Sequence, residues 1–201
     1  MGDLRQKILD ASVALVEEQG VRAVSFREVA RRAGVSHQAP YHHFGNYHGI
    51  LRAIAREGFA GLSQAMNDAA ERADDPLEAL TDAGVAYANF ARTHAGHFRV
   101  MFQRALVNIR DREDPLEEAE AAHATLIRLA AAASEAGFGS QLTVDGLTHI
   151  CWATVHGIST LLVEGVLAEK TPMSESIEAE LVQQVVRGLS ALLRKDSEGK
   201  A

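Results

Sequence analysis

"VSFREVARRAGVSHQAPYHHFG", residues 24–45, decides how this chain is read. Ser25 stands where a helix N-cap belongs, and Glu28 follows at the spacing of a capping box. Val24 and Val29 flank that start at N′ and N4, the two ends of a hydrophobic staple. The helix so begun runs to Ala33 and stops at Gly34. Gly34, Val35 and Ser36 form a short turn, and a second short helix ends at Phe44 before Gly45. Two short helices joined by a tight, glycine-containing turn make a helix-turn-helix.

Pro40 sits inside the second of these helices. Proline lacks an N–H and crowds the carbonyl four residues earlier. With Ser36 as N-cap, Pro40 falls at N4, opposite Val35 at N′, and its ring fills the apolar slot of a staple. The Ser36 carbonyl then accepts from the Ala39 N–H in a 3₁₀ turn. A helix starting at Pro40 removes the conflict but leaves about one turn before Gly45. The Ser36-capped helix is the expectation here.

Outward from this segment the chain is helical in both directions. Leu4, Ile8, Ala11 and Leu15 recur at helical spacing up to a stop near Gly20. Beyond Asn46, Leu51, Ile54, Gly58, Leu62 and Met66 line one face of a longer helix. "DPLE" occurs at 75–78 and at 114–117, each time giving Asp as N-cap, Pro at N1 and Glu at N3. Helices are expected over roughly 75–94, 97–109, 115–136, 143–168 and 175–195. The fold class is therefore all-α, with about nine helices: a three-helix helix-turn-helix head and a larger helical domain. The expected divisions are 1–46 for the head, 47–195 for the body and 196–201 for a flexible tail.

Composition narrows the function. The chain has 201 residues, 47% of them apolar, and a single cysteine, Cys151, which rules out an intrachain disulfide and suits a cytoplasmic setting. The N-terminus shows no apolar signal core, and the longest apolar stretch is broken by His156, Gly157, Ser159 and Glu164, so no membrane span is expected. The net charge of −7 is uneven. Residues 1–57 carry eight basic against six acidic side chains and four histidines; the remainder carries twelve against twenty-one. A mildly basic head on an acidic body fits a head that approaches phosphate. No Gly-rich phosphate loop, G-x-S-x-G elbow or metalloprotease motif is present, so an enzyme is not expected.

"ILDASVALVEEQGVRAVSFREVARRAGVSHQAPYHHFGNYHGIL" resembles the DNA-binding head of TetR/AcrR-type transcriptional regulators, a likeness covering residues 5–51. "CWATVHGISTLL", 151–162, is similar to a subgroup with a Trp-His-Gly (WHG-type) C-terminal domain. The resemblance implies a cytoplasmic homodimer, a quasi-palindromic double-stranded operator and release of that operator by a small, largely apolar effector. It places His37, Gln38 and Ala39 at base edges, Arg27 at a base or nearby phosphate, and Ser25, Ser36, Tyr41 and His42 at phosphates. Gln38 suits adenine, His37 guanine, and the Ala39 methyl a thymine methyl. His43 is either a packed histidine or a DNA contact, and Arg31 a solvated charge. Tyr47 stands where the family usually has a phosphate-pairing lysine; it offers one hydrogen bond and no charge.

For the body, the resemblance implies an effector pocket among Phe90, Phe98, Met101, Phe102, Leu106, Leu126, Trp152, Val155 and His156, each of which also fits ordinary core. It also implies a dimer surface on Ile177, Leu181, Val185, Leu189 and Leu192, for which packing within the chain is the competing explanation. His94 and His97 have a spacing able to share a metal, but no second cysteine or close carboxylate pair supports one; neither metal nor cofactor is expected. The competing function is a small-molecule- or metal-binding helical protein without operator-specific binding.

Overall fold

The structure, a computed structural model, describes residues 2–107, 116–170 and 173–198. Among the described residues there are eleven α-helices, one 3₁₀ turn at Val21–Ala23 and no strand. The helices are α1 (Gly2–Gln19), α2 (Phe26–Ala33), α3 (Ala39–Phe44), α4 (Tyr47–Ala70), α5 (Pro76–Thr93) and α6 (Ala95–Met101). They continue with α7 (Arg104–Val107), α8 (Glu117–Glu135), α9 (Val144–Val163), α10 (Val166–Lys170) and α11 (Glu175–Glu198).

Nine expected helices become eleven because two of them break. The stretch expected over 143–168 is cut at Gly165, whose φ of 71° no right-handed helix contains. The stretch expected over 97–109 is cut at Phe102, at φ −101° and ψ 8°. There the ring turns onto Phe59 and Phe98, with centroids 5.5 and 5.2 Å away. The Gln103 carbonyl restarts the chain as α7 by accepting from the Leu106 and Val107 N–H groups, both at 2.9 Å. Residues 108 and 109 lie outside the described residues, as do Asp114 and Pro115 of the second "DPLE". The first "DPLE" starts α5: the Asp75 carboxylate accepts from the Glu78 N–H at 2.8 Å, which holds that carboxyl below the usual range.

The chain divides into two compact units, Met1–Ala60 with His94–Ala119, and Gly61–Thr93 with Glu120–Ala201. Two of the three divisions fall inside α4 and α8, and the third between α5 and α6. In the first unit Ile8, Leu9, Leu15 and Val16 of α1, Val29 of α2 and Ile50, Leu51 and Ile54 of α4 are buried. Each such aliphatic side chain contributes about 1.5–3 kcal/mol over its exposed state. Leu4, expected on the same stripe, is exposed. His48 Nδ1 and Arg52 Nη1 of α4 donate to the Leu106 and Val107 carbonyls at 3.0 and 2.6 Å, closing the end of α7.

In the second unit α5 packs against both α9 and α11. Small side chains allow this: Ala83, Ala88 and Ala91 are buried, and a Cβ at Gly84 would lie 3.1 Å from Val186 Cγ1. Thr81 Oγ1 donates to the Leu77 carbonyl at 2.6 Å and lies within hydrogen-bond distance of Ser190 Oγ, at 2.9 Å, tying α5 to α11. The ion pairs Arg187–Asp82 and Arg194–Asp75, at 3.2 and 3.1 Å, lie at the surface and add under about 1 kcal/mol each.

Candidate nucleic-acid interface and helical body

The Ser25 hydroxyl accepts from the Glu28 N–H at 3.3 Å, so the N-cap of α2 forms. The reciprocal arm of the capping box does not, because the Glu28 carboxylate is engaged by Arg31. Gly34 ends α2 in the left-handed region, at φ 63° and ψ 40°. The next helix then starts later than expected. Ser36 does not cap it; α3 opens at Ala39, with Gln38 as N-cap residue and no side-chain cap. The tight turn does form, the Ala39 N–H donating to the Ser36 carbonyl at 3.0 Å. Pro40 thus falls at the second helical position, not at N4, where its missing N–H costs nothing, and it is buried. His37 and Gln38 consequently precede the helix, in the turn, and both are exposed.

Arg27 and His37 border one open groove of about 500 Å³, with Glu28, Ala30, Arg31 and Val35 around it. The arginines of α2 divide by task. Arg32 binds Glu18 of α1 in bidentate fashion, at 2.8 and 2.7 Å, and Arg31 pairs with Glu28. Arg27 makes no ion pair or hydrogen bond among the described residues and is exposed. Ser36 and His42 are exposed, and Ala39 and His43 half-buried. The Tyr41 ring stands edge-on to Phe26, centroids 4.6 Å apart, and is half exposed. Arg5 lies over the buried Phe44 ring, 5.0 Å from its centroid, and fixes the far end of α3. Tyr47 behaves differently from expectation. Its hydroxyl donates to the Val21 carbonyl at 3.2 Å, so its one proton is committed within the chain and not offered to phosphate.

The nine residues expected to form a pocket fall into two groups. Phe98, Met101, Phe102 and Leu106 belong to the first unit, where Phe98 and Met101 are core. A Cβ at Gly58 would lie 2.6 Å from Met101 Sδ, so α6 and α4 meet closely there. Phe90, Leu126, Trp152, Val155 and His156 belong to the second unit. Here the structure adds a residue that the sequence reading missed. The Tyr87 hydroxyl lies 2.9 Å from His156 Nδ1, and the Trp152 ring lies tilted beside that imidazole, centroids 6.2 Å apart. Burial pushes the Tyr87 pKa up and that of His156 down, so both are neutral near pH 7. Tyr87 and neutral His156 share one hydrogen bond, and the His123 ring lies tilted against Trp152, centroids 5.7 Å apart. Tyr87→Phe removes this hydrogen bond and leaves His156 Nδ1 without it, and is expected to cost about 1–3 kcal/mol, read as a lower melting temperature. An unchanged melting temperature would mean that the Tyr87–His156 pair does not stabilise the body. The Cys151 thiol is pushed up to about 11 by burial, which suits an inert side chain. Among the described residues no three His, Cys, Asp or Glu side chains are grouped to hold a metal ion.

Two families match the chain. Residues 8–54 match bacterial regulatory proteins of the tetR family, and residues 80–189 match the tetracyclin repressor-like C-terminal domain. The chain belongs to the TetR family. An uncharacterized HTH-type transcriptional regulator of Bacillus subtilis, YobS, is 22% identical over 178 residues, 88% of each chain. The TetR-family regulator PfmR of Thermus thermophilus aligns at a TM-score of 0.70 and 23% identity, over 90% of this chain and 98% of that one. FadR of Bacillus subtilis, solved in complex with stearoyl-CoA, aligns at 0.70 and 16%, over 92% and 97%. TetR regulators bind operator DNA, dimerise and bind small molecules; this chain is a DNA-binding transcriptional regulator. The match over 8–54 spans the helix-turn-helix head.

The TetR body leaves one face of its second unit without cover. On α11, Val182, Val186 and Leu193 turn inward and are buried. Ile177 and Leu192 of the expected dimer stripe are exposed at 49% and 63%, with Leu181, Val185 and Leu189 half-buried beside them. On α9, which packs against α11, Ile150 and Leu161 are exposed at 38% and 40%, and Ala153 is exposed between them. Packing within the chain accounts for the inner row and not for the outer one.

Proposed function

We propose that this TetR-family regulator is a cytoplasmic, homodimeric repressor that reads a quasi-palindromic operator and releases it when a small, largely apolar effector binds its body. The observation that carries this proposal is that Arg27 of α2 and His37 in the turn before α3 border one groove, with Gln38, Ser25, Ser36, Tyr41 and His42 exposed on the same helix-turn-helix. Side chains with donors and acceptors, held on a short buried scaffold, suit base edges and phosphates. Head and tail of the proposal are joined by symmetry: the outer row on α9 and α11 fits a second copy of the chain, and a two-fold protein reads a two-fold site. The expectation of an apolar effector is supported by the apolar surroundings of Phe90, Val155 and Trp152, and by the ligand of FadR. The Tyr87–His156 pair supplies neutral polar groups beside them.

Selection of DNA from a random pool tests the head. The wild type should recover a motif whose halves are related by two-fold symmetry, and Gln38→Ala should flatten the preference at one position of each half. That loss is expected to be roughly 5- to 150-fold in discrimination, the worth of one bidentate base contact. Tyr41→Phe should instead weaken all sequences alike. A single unpaired half-site, or the reverse behaviour of the two variants, would overturn these assignments.

A further inference from the structure

In the head-bearing unit, α6 is held hard against α1. A Cβ at Gly96 would lie 2.9 Å from the Val13 carbonyl oxygen and 2.7 Å from Glu17 Cγ. Glu17 Oε1 accepts from the Gly96 N–H at 3.3 Å, and Arg99 Nη1 donates to the Glu17 carbonyl at 3.4 Å. The next residue, His97, faces α4: its Cβ would stand 3.2 Å from a Cβ at Gly58. Both of its ring nitrogens are shut off from the surface, and neither has a hydrogen-bond partner among the described residues. This is an imidazole packed as though it were apolar, at the meeting of three helices. Around it stand Asp10 and Glu17 of α1, Glu57 of α4, and His94 and Arg99 of α6. Gln6 Nε2 already bridges Asp10 Oδ1 at 2.9 Å and Glu57 Oε1 at 3.3 Å, so these carboxylates sit at the rim and not on the ring.

We propose that His97 is an acid-sensitive latch: a proton taken up there drives α6 apart from α1 and α4 and loosens the unit that carries the helix-turn-helix. An imidazolium has two N–H donors and a charge, and the present site offers neither acceptor nor water. Its nearest compensation is the carboxylates of Glu57, Glu17 and Asp10. Reaching them takes the ring out of its packing, which the close contacts at Gly58 and Gly96 do not permit while they hold. Burial depresses the pKa of His97, with His94 adding to the depression and the three carboxylates opposing it. The sign follows from linkage. The unfolded chain takes up this proton at the ordinary histidine value, about 6.5, and the folded chain only below it. The contribution of the latch is therefore complete above that pH and is lost progressively as the pH falls.

The test uses the full chain. Histidine Cε1–H resonances are followed by NMR from pH 8 to 5, and wild type, His97→Leu and His97→Gln are melted at pH 7.5 and 5.5. The His97 resonance should titrate below 6.5. On acidification the wild-type melting temperature should fall by roughly 2–4 °C more than that of His97→Leu. A His97 that titrates at or above 6.5, or a leucine variant with the wild-type pH slope, overturns the proposal. If neither variant folds, the wild-type titration alone decides.

Discussion

Gly49→Ala is expected to lower affinity for a selected operator by roughly 100-fold or more while the chain stays helical. A Cβ at Gly49 would lie 2.0 Å from the Phe44 carbonyl oxygen and 3.1 Å from its carbon, both backbone atoms at the end of α3. That carbonyl cannot step aside easily. It accepts from the Asn46 N–H at 2.8 Å across Gly45, whose φ of 72° and ψ of −62° define a γ-turn of the kind side chains resist. The first turn of α4 is fixed as well: the Gly49 N–H is held by Asn46 Oδ1 at 2.9 Å, and Ile50 and Leu51 are fully buried. The element with least to hold it is α3, six residues long and anchored by Pro40, Phe44 and the Arg5 contact. The methyl group is therefore expected to re-aim α3, and with it His37, Gln38 and Ala39, at a cost of two or three base contacts of about 1–3 kcal/mol each. Gly45→Ala should lower the melting temperature through the left-handed backbone alone, by about 1–2 kcal/mol, with a smaller loss of affinity. Gly49→Ala binding within threefold of wild type would show that the α3–α4 joint does not aim the head.

These joints also mark where the sequence stopped being legible. Local signals were read correctly: the Ser25 cap of α2 and the Asp75 cap of α5 involve partners three residues away. The all-α class followed from apolar spacing, and the family from the 24–45 stretch. What failed was set by residues far apart in the chain. Phe102 leaves its helix because Phe59 offers its ring a face, and Tyr47 spends its proton on Val21, twenty-six residues earlier. Tyr87 went unseen because its partner His156 is sixty-nine residues away and nothing in the periodicity of α5 separates it from core. The start of α3 was misjudged for a local reason instead. Ser36 looks like a cap, but proline is better placed in the first turn, and the helix began where proline fits. The stripe on α11 was located by its spacing, yet only the fold could show which of two adjacent rows faces outward.

That outer row yields the other large effect, through two glycines. A Cβ at Gly157 of α9 or at Gly188 of α11 would meet nothing within 4 Å in the chain itself. Glycine inside a helix costs about 1 kcal/mol relative to alanine, and nothing in the isolated subunit requires it at either place. The proposed second copy on this face would supply the reason, since small residues let two helices approach closely. Gly157→Arg is therefore expected to leave the subunit as stable as before, or more so, while preventing dimerisation. Light scattering should give a mass near 21.7 kDa, that of one chain, where the wild type gives twice that. Operator affinity should fall roughly 100-fold or more, because the two heads no longer engage at one another's effective concentration. Half-site affinity measured at high protein concentration should be preserved, since Arg27, His37 and Gln38 are untouched. A Gly157→Arg protein that remains dimeric would place the interface elsewhere. One that is monomeric but keeps full operator affinity would remove two-fold symmetry from the way this regulator reads DNA.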